Sequence, residues 1–260
     1  MISGIDKYFQ IVRCFRDEDP RADRQAEFTQ IDVEMSFVDS NDVIGVHENL
    51  IARIWKRILN ADVAAPMRRM TYKEAMADYG TDRPDLRFDM KLKDISDIAK
   101  QSTFKVFTSV IEKGGVVKGF CAPGGGKYSR SDIEKTLTEY VADYGAKGLA
   151  WFKVKKEDRG QKTEDRGQRT EDRRLTLASS IARFFKPEQL QQIIEHFGAK
   201  NGELLLFVAD NEKTANKALA PLRCKLAKDL KLYDEKSFEF VWIVDFPLFE
   251  WNEDQKRYDS

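Results

Sequence analysis

Arg16 and Asp32 stand at the two ends of a stretch, FRDEDPRADRQAEFTQID (residues 15–32), in which acidic and basic side chains interleave around one proline. The residues on either side alternate as strands do, Tyr8 to Phe15 before it and Phe28 to Phe37 after it. Side chains of a strand point to opposite faces in turn, so Gln30, Asp32, Glu34 and Ser36 share one face and Thr29, Ile31, Val33, Met35 and Phe37 the other. The second set predicts a core face. The first is a row of polar and acidic groups in an otherwise apolar strand. A guanidinium forks onto a phosphate or carboxylate, and a carboxylate accepts an ammonium. Arg16 at the loop edge and Asp32 in the row therefore suit a ligand that carries both an anion and an amine. A single arginine–carboxylate pair would be structural; the length of the row argues for more. The connection between the strands exceeds what a tight turn needs, which suits it to a second polyanion or a base.

Bulk composition adds little to this chemistry. Lys and Arg number 44 and Asp and Glu also 44, so any polyanion must bind a local patch. Cys14, Cys121 and Cys224 are far apart, lack a CxxC pair and are odd in number, which argues against a zinc site or a disulfide framework and for a reducing cytosol. No apolar run approaches the roughly 18 residues of a membrane span, and residues 1–20 lack a signal peptide's pattern. The expected location is cytoplasmic, with no membrane.

Elements to position these residues follow from periodicity. After the second strand, Ser40 caps a predicted amphipathic helix whose His47, Leu50, Ile51, Ile54, Trp55 and Ile58 fall on one stripe. The turn-rich YGTDRPDLRFDM (79–90) predicts a linker, and FKVFTSVI (104–111) a strand. Ser131 and Glu134 predict a capping box for a helix stopped by Gly145, and GLAWFKV (148–154) another strand. Pro187 opens a helix that Gly198 closes, and ELLLFVAD (203–210) is a strand. This alternation predicts a small α+β domain in the middle of the chain. A further helix from Glu212 to about Leu232 should kink or split at Pro221. SFEFVWIVDFPLFEW (237–251), apolar on both faces, predicts a central strand.

Other patterns are weaker. GFCAPGGGKYS evokes a phosphate loop, but Tyr128 follows Gly126-Lys127 where Ser or Thr is required, so a flexible hairpin is expected. His47 and His196 lie on or near apolar helix faces and predict structural roles. From Lys155 to Arg174 the chain repeats EDRGQ[KR]T at period seven with no apolar residue, so no coiled-coil seam exists and a disordered loop is expected.

The residues around Arg16 carry a resemblance. CFRDEDPRADRQAEFTQIDVEMSF is similar to motif 2 of the class II aminoacyl-tRNA synthetases, in the form of the bacterial-type aspartyl enzymes; lysyl and asparaginyl relatives tend to have Arg-His where this chain has Arg24-Gln25. YGTDRPDLRF and VDFPLFEW resemble two further stretches of that family, and the middle region resembles its GAD insertion domain. The resemblance implies an α+β fold, part of an antiparallel catalytic sheet with helices. Residues 1–95 would be the first part of the catalytic domain, 96–212 the GAD-like insertion with the repeat at 155–174, and 213–260 the catalytic domain continued. It implies an internal fragment, with motif 1 before Met1 and motif 3 after Ser260. The implied activity is ATP-dependent activation of L-aspartate and its transfer to tRNA, with Mg2+ and a homodimeric full-length enzyme. Arg16 would be catalytic, holding the ATP α-phosphate and the substrate carboxylate. Asp17, Glu18 and Gln25 would contact ATP, and Gln30 and Asp32 the aspartate amino group. A non-catalytic tRNA-binding fragment that retains the GAD domain is the alternative.

The repeat has nothing to bury, so deleting residues 156–173 should leave the melting temperature almost unchanged. A thermal or denaturant scan that shows a loss above roughly 2 kcal/mol, a size reserved for core or network damage, would contradict a solvated loop.

Overall fold

The computed structural model describes residues 1–17, 24–156, 175–252 and 255–259. The chain forms two compact units, residues 1–68 and 69–260.

The first unit is a hairpin and a helix. Strands β1 (Lys7–Phe15) and β2 (Glu27–Met35) pair antiparallel with Val12 opposite Gln30, and Ser36 N–H to Asp6 O extends the ladder at the open end. Helix α1 (Ser40–Leu59) is capped by Asp39, one residue before the expected Ser40. Asp39 accepts from the N–H groups of Asn41 and Asp42, and Asp42 returns a bond to the Asp39 N–H. Asn60 in the left-handed region closes the helix. Its buried Glu48 accepts the Met67 N–H at 3.0 Å, so this carboxylate is satisfied by backbone. His47 bonds to Val43 O within the helix, a structural role.

The second unit opens with β3 (Arg68–Thr71) and α2 (Tyr72–Tyr79), the latter capped by a Thr71–Glu74 box. Its centre is an antiparallel sheet of β4 (Lys93–Asp94), β5 (Val116–Ala122), β6 (Ala150–Lys156), β7 (Leu175–Ala178) and β8 (Leu204–Asp210), in the order β4-β5-β8-β6-β7 among the described residues. Leu204 to Val208 are wholly buried, because both faces of β8 are covered. Leu204, Leu206 and Val208 pack with Phe120, with Ile133 and Leu137 of a π-helical turn (Asp132–Leu137), with Val141 of α5 (Thr138–Ala142), and with Leu219, Leu222 and Leu226 further on. Leu205 and Phe207 pack with Phe152, with Ile95 and Ala99 beside and in α3 (Ser96–Ala99), with Phe107 of α4 (Lys105–Glu112), and with Ile193 and Ile194 of α6 (Pro187–Phe197). The last helix, α7 (Glu212–Asp229), supplies Leu219, Leu222 and Leu226, so it belongs to the same core as the sheet.

Four expectations change here. Residues 104–111 are mostly helix α4, not a strand: only Phe107 is buried, and a single buried stripe suits a helix turned to one side. The helix near Ser131 is started by Ser129 and Asp132, which bond each other's backbone N–H, rather than by Ser131 and Glu134. Helix α7 runs through Pro221 as one element; its apolar face is buried on both sides of the proline, and that packing offsets the lost backbone bond. The run 237–251 is not a central strand. It yields β9 (Val241–Val244), which pairs with β3, and β10 (Glu250–Asn252), which pairs with β11 (Arg257–Asp259). Asp245 takes φ +58° and Pro247 has no N–H to donate, which ends the ladder after Val244. Phe246, Leu248 and Phe249 are exposed.

The glycine loop is fixed rather than flexible. The Gly126 N–H donates to Gly202 O at 2.9 Å, and a Cβ at Gly126 would lie 2.6 Å from that oxygen, so two turns meet where only glycine fits. The repeat at 157–174 lies outside the described residues.

The segment expected as a linker, 79–90, is instead wrapped around a buried cation. Arg223 of α7 is 1% exposed. It donates from Nε to Met90 O (2.8 Å) and from Nη2 to Asp85 O (2.7 Å) and Phe88 O (3.1 Å). Its guanidinium also lies over the rings of Phe88 and Tyr79, at 4.1 and 4.7 Å from their centroids. Burial pushes its pKa down, yet a guanidinium stays charged. The nearby Asp85 carboxylate is turned to Arg87, 2.7 Å away. Burial raises the Asp85 pKa, but the side-chain and backbone bonds from Arg87 outweigh it and hold the carboxyl below its ordinary value.

Replacing Arg223 with Met should destabilise the second unit by about 3 kcal/mol or more, because three carbonyls lose their donor in a buried setting. Arg223→Lys should recover part of this at most, since an ammonium lacks the planar fork. Denaturant unfolding of the three chains checks both; a loss under about 1 kcal/mol for Arg223→Met would show the carbonyls satisfied by other means. A separate pH effect follows from Asp85. A depressed folded pKa contributes stability above the ordinary carboxylate value of about 3.9 and loses it as the pH falls through the lower folded value. Unfolding midpoints measured between pH 5 and pH 2 should therefore drop less in Asp85→Asn than in the parent.

Candidate functional site

The β1–β2 register sorts the candidate residues by face. Residues directly opposite in an antiparallel pair point the same way, so Tyr8/Glu34, Gln10/Asp32, Val12/Gln30, Cys14/Phe28 and Arg16/Ala26 make one row. The Arg16 N–H donates to Ala26 O at 2.9 Å, which carries the pairing one step past the strands. Gln30 and Asp32 share a face, as the alternation predicted, and the register between the strands adds Arg16 to it.

The opposite face differs from the expectation. Val33 and Met35 are half-buried, but Ile31, Thr29 and Phe37 are exposed, and so are Phe9, Ile11 and Phe15 on the partner strand. The face predicted as core is an open apolar face, crossed by the Arg13–Glu27 pair at 3.2 Å. Among the described residues β1 and β2 pair only with each other. The row that carries Gln10, Val12, Cys14, Phe28, Gln30 and Asp32 is the half-buried one.

Polar contacts order that row. Gln10 Nε2 donates to Asp32 Oδ2 at 3.0 Å, and the Tyr8 hydroxyl donates to Gln10 Oε1 at 3.1 Å. The Cys14 thiol points to Gln30 Oε1 at 3.6 Å. Arg16 is exposed and leans back over the Phe28 ring, with its guanidinium carbon 5.5 Å from the centroid. From Phe28 to Asp32 is four residues, about 13 Å along a strand. Arg16 and Asp32 therefore do not touch; a ligand must span them, with Gln30 midway. Asp17 and Gln25 are exposed at the loop end, and Glu18 lies outside the described residues.

Gln10 and Cys14 were missed by reading β2 alone. The signal was available in β1, where Tyr8, Gln10, Val12, Cys14 and Arg16 alternate with Phe9, Ile11 and Phe15. For a divalent ion, Asp32 and Glu34 are hard oxygen donors on one face. No group of three His, Cys, Asp or Glu side chains converges among the described residues. No helix among them is long and apolar enough to cross a membrane.

Comparison with known proteins bears on this row. The family model described as tRNA synthetases class II (D, K and N) matches residues 1–258. The aspartate–tRNA(Asp/Asn) ligase of Persephonella marina is 51% identical over 257 residues, which is 99% of this chain and 40% of that protein. The aspartate–tRNA ligase of Macrococcus caseolyticus is 50% identical over 259 residues, and the aspartate–tRNA(Asp/Asn) ligase of Desulfatibacillum aliphaticivorans 49% over 258. In each case the match covers 99% of this chain and 40% of the relative. The chain thus spans about two fifths of the length of the curated relatives it matches.

Proposed function

The chain belongs to the class II tRNA synthetases (D, K and N), and we propose that it is the motif 2 and insertion segment of an aspartate–tRNA ligase. The observation that carries this reading is the shared face of Arg16, Gln30 and Asp32, in a chain about half identical to such ligases throughout. In the reaction, a carboxylate oxygen of L-aspartate attacks the α-phosphorus of ATP and the bond to pyrophosphate breaks. A ribose hydroxyl at the tRNA terminus then attacks the aspartyl carbonyl, and AMP leaves.

Arg16 is the catalytic residue of this reading. Its guanidinium neutralises charge on the α-phosphate and the substrate carboxylate, and Phe28 beneath it limits where it can swing. Gln30 and Asp32 take the ammonium of aspartate, and the roughly 13 Å between Phe28 and Asp32 leaves room for an amino acid with its activating phosphate. Asp17, Glu18 and Gln25 face ATP at the loop end. Such a site works by positioning and preorganised charge, without a covalent nucleophile. Mg2+ would accompany the ATP phosphates and supply charge neutralisation there, while Asp32 is left to the ammonium. The sheet domain between residues 96 and 212 is a GAD-like insertion, and the whole enzyme is a cytoplasmic homodimer that acts on tRNA.

The test is a chimera in which this chain replaces the matching segment of the Persephonella marina ligase. Arg16→Ala should lower aspartate-dependent pyrophosphate exchange by about 10²–10³, the usual effect of one lost preorganised donor. Undiminished exchange would remove Arg16 from the mechanism. Asp32→Asn should raise the KM for aspartate by roughly 10-fold or more, the range of a charged hydrogen bond, and leave the KM for ATP nearly constant. Equal changes in both would mean that Asp32 serves the fold.

A further inference from the structure

A cavity of about 330 Å³ opens at one end of the second unit's sheet, far in sequence from the hairpin row. Its lining is mainly apolar. Phe107, Trp151 and Phe207 are buried residues that border it, and Phe104, Leu149 and Ile181 complete the apolar wall. The aromatic rings are set by the core: Phe104 and Phe107 meet edge to face at 4.9 Å, and Phe107 packs against Phe185. The space therefore rests on side chains that the fold already fixes.

Two charged residues are among the lining. Glu134 lies in the π-helical turn, a rare geometry found often at functional sites. Both its oxygens accept from Arg130 Nε, at 2.8 and 2.9 Å, so its charge is already matched. Lys147 also borders the cavity, is exposed, and has no hydrogen bond or ion pair among the described residues. Ser179 and Ser180 add hydroxyls to the same lining. A mainly apolar cavity whose lining also holds one unmatched ammonium and two hydroxyls is complementary to a flat apolar body with an anionic head.

We propose that this cavity is a binding site for a small aromatic carboxylate of one or two rings. Its volume is at the lower end of the roughly 300–1,000 Å³ typical of ligand sites. One ammonium and two hydroxyls are too few for a triphosphate, and the apolar wall of Phe104, Phe107 and Ile181 favours an aromatic body over a sugar. The ring packs against Phe104 and Phe107, and the carboxylate takes a charge-assisted bond from Lys147, with Ser180 as a second donor. This site is independent of the aspartylation reading, and its test does not use that activity.

The probes are 1-naphthoate and its neutral counterpart 1-naphthamide, titrated calorimetrically into the 260-residue chain. The expected result is saturable binding of one naphthoate, at least 10-fold tighter than the amide. Lys147→Ala should abolish that preference and leave amide binding unchanged; Lys147 is exposed, so the fold tolerates it. Gly148→Phe should block both probes, because Gly148 lines the cavity and a side chain there meets no atom within 4 Å. A melting temperature matching the parent's separates blocking from unfolding. Absence of naphthoate binding, equal affinity for the two probes, or binding that survives Gly148→Phe in a folded variant would each overturn the assignment.

Discussion

Everything at the hairpin depends on one constraint, the parity of its register. With Val12 opposite Gln30, the residues Gln10, Cys14, Arg16, Gln30 and Asp32 all point one way. A slip of one residue between the strands would send one strand's polar members among Phe9, Ile11 and Phe15 and turn the other's away. The ladder alone does not forbid that slip, since backbone pairing is indifferent to side chains. The Gln10–Asp32 bond, the Cys14–Gln30 contact and the Arg16–Phe28 stack each hold only in the observed register. The polar row therefore serves as the register key as well as the candidate site.

The second unit solves a different problem, with a buried charge as its key. Arg223 sits in the layer where α7 covers the sheet, and an isolated guanidinium there would be costly. Three carbonyls from residues 85–90 and two aromatic faces replace its water. Those carbonyls belong to a stretch with little regular structure, whose backbone acceptors would otherwise go unused. Each group supplies what the other lacks. An acidic partner for Arg223 is unnecessary, and Asp85 is left to pair with Arg87 at the margin of the unit.

What could be read from the sequence follows from these two cases. Helices α1 and α6 and strand β8 were legible because burial is one-sided in the helices and total in the strand, and each pattern is local. Residues 104–111 were not, since Phe104, Val106, Phe107, Val110 and Ile111 have the composition of a strand and only the three-dimensional core decides that Phe107 alone goes inside. The order of 79–90 was invisible for a stronger reason: the residue that organises it lies 133 positions away from Met90. At the site, the shared face of Gln30 and Asp32 followed from a period of two, whereas Gln10 and Cys14 required the register between strands. The open apolar face was misread because alternation tells which residues share a side, never which side is covered.

The choice of Gln10 as the neighbour of Asp32 has a chemical consequence. A lysine in that place would fix the carboxylate equally well, but it would also cancel its charge. An amide donates one bond to Oδ2 and contributes no net charge, so Asp32 is held in position with its negative charge unspent. The Tyr8 hydroxyl in turn occupies Gln10 Oε1, which fixes the amide with its nitrogen toward the acid. Among the described residues, the Gln10 amide is the partner recorded for Asp32, and it bonds Oδ2. A carboxylate oriented by a neutral donor keeps its charge available to a cation, which is what the proposed role of Asp32 needs.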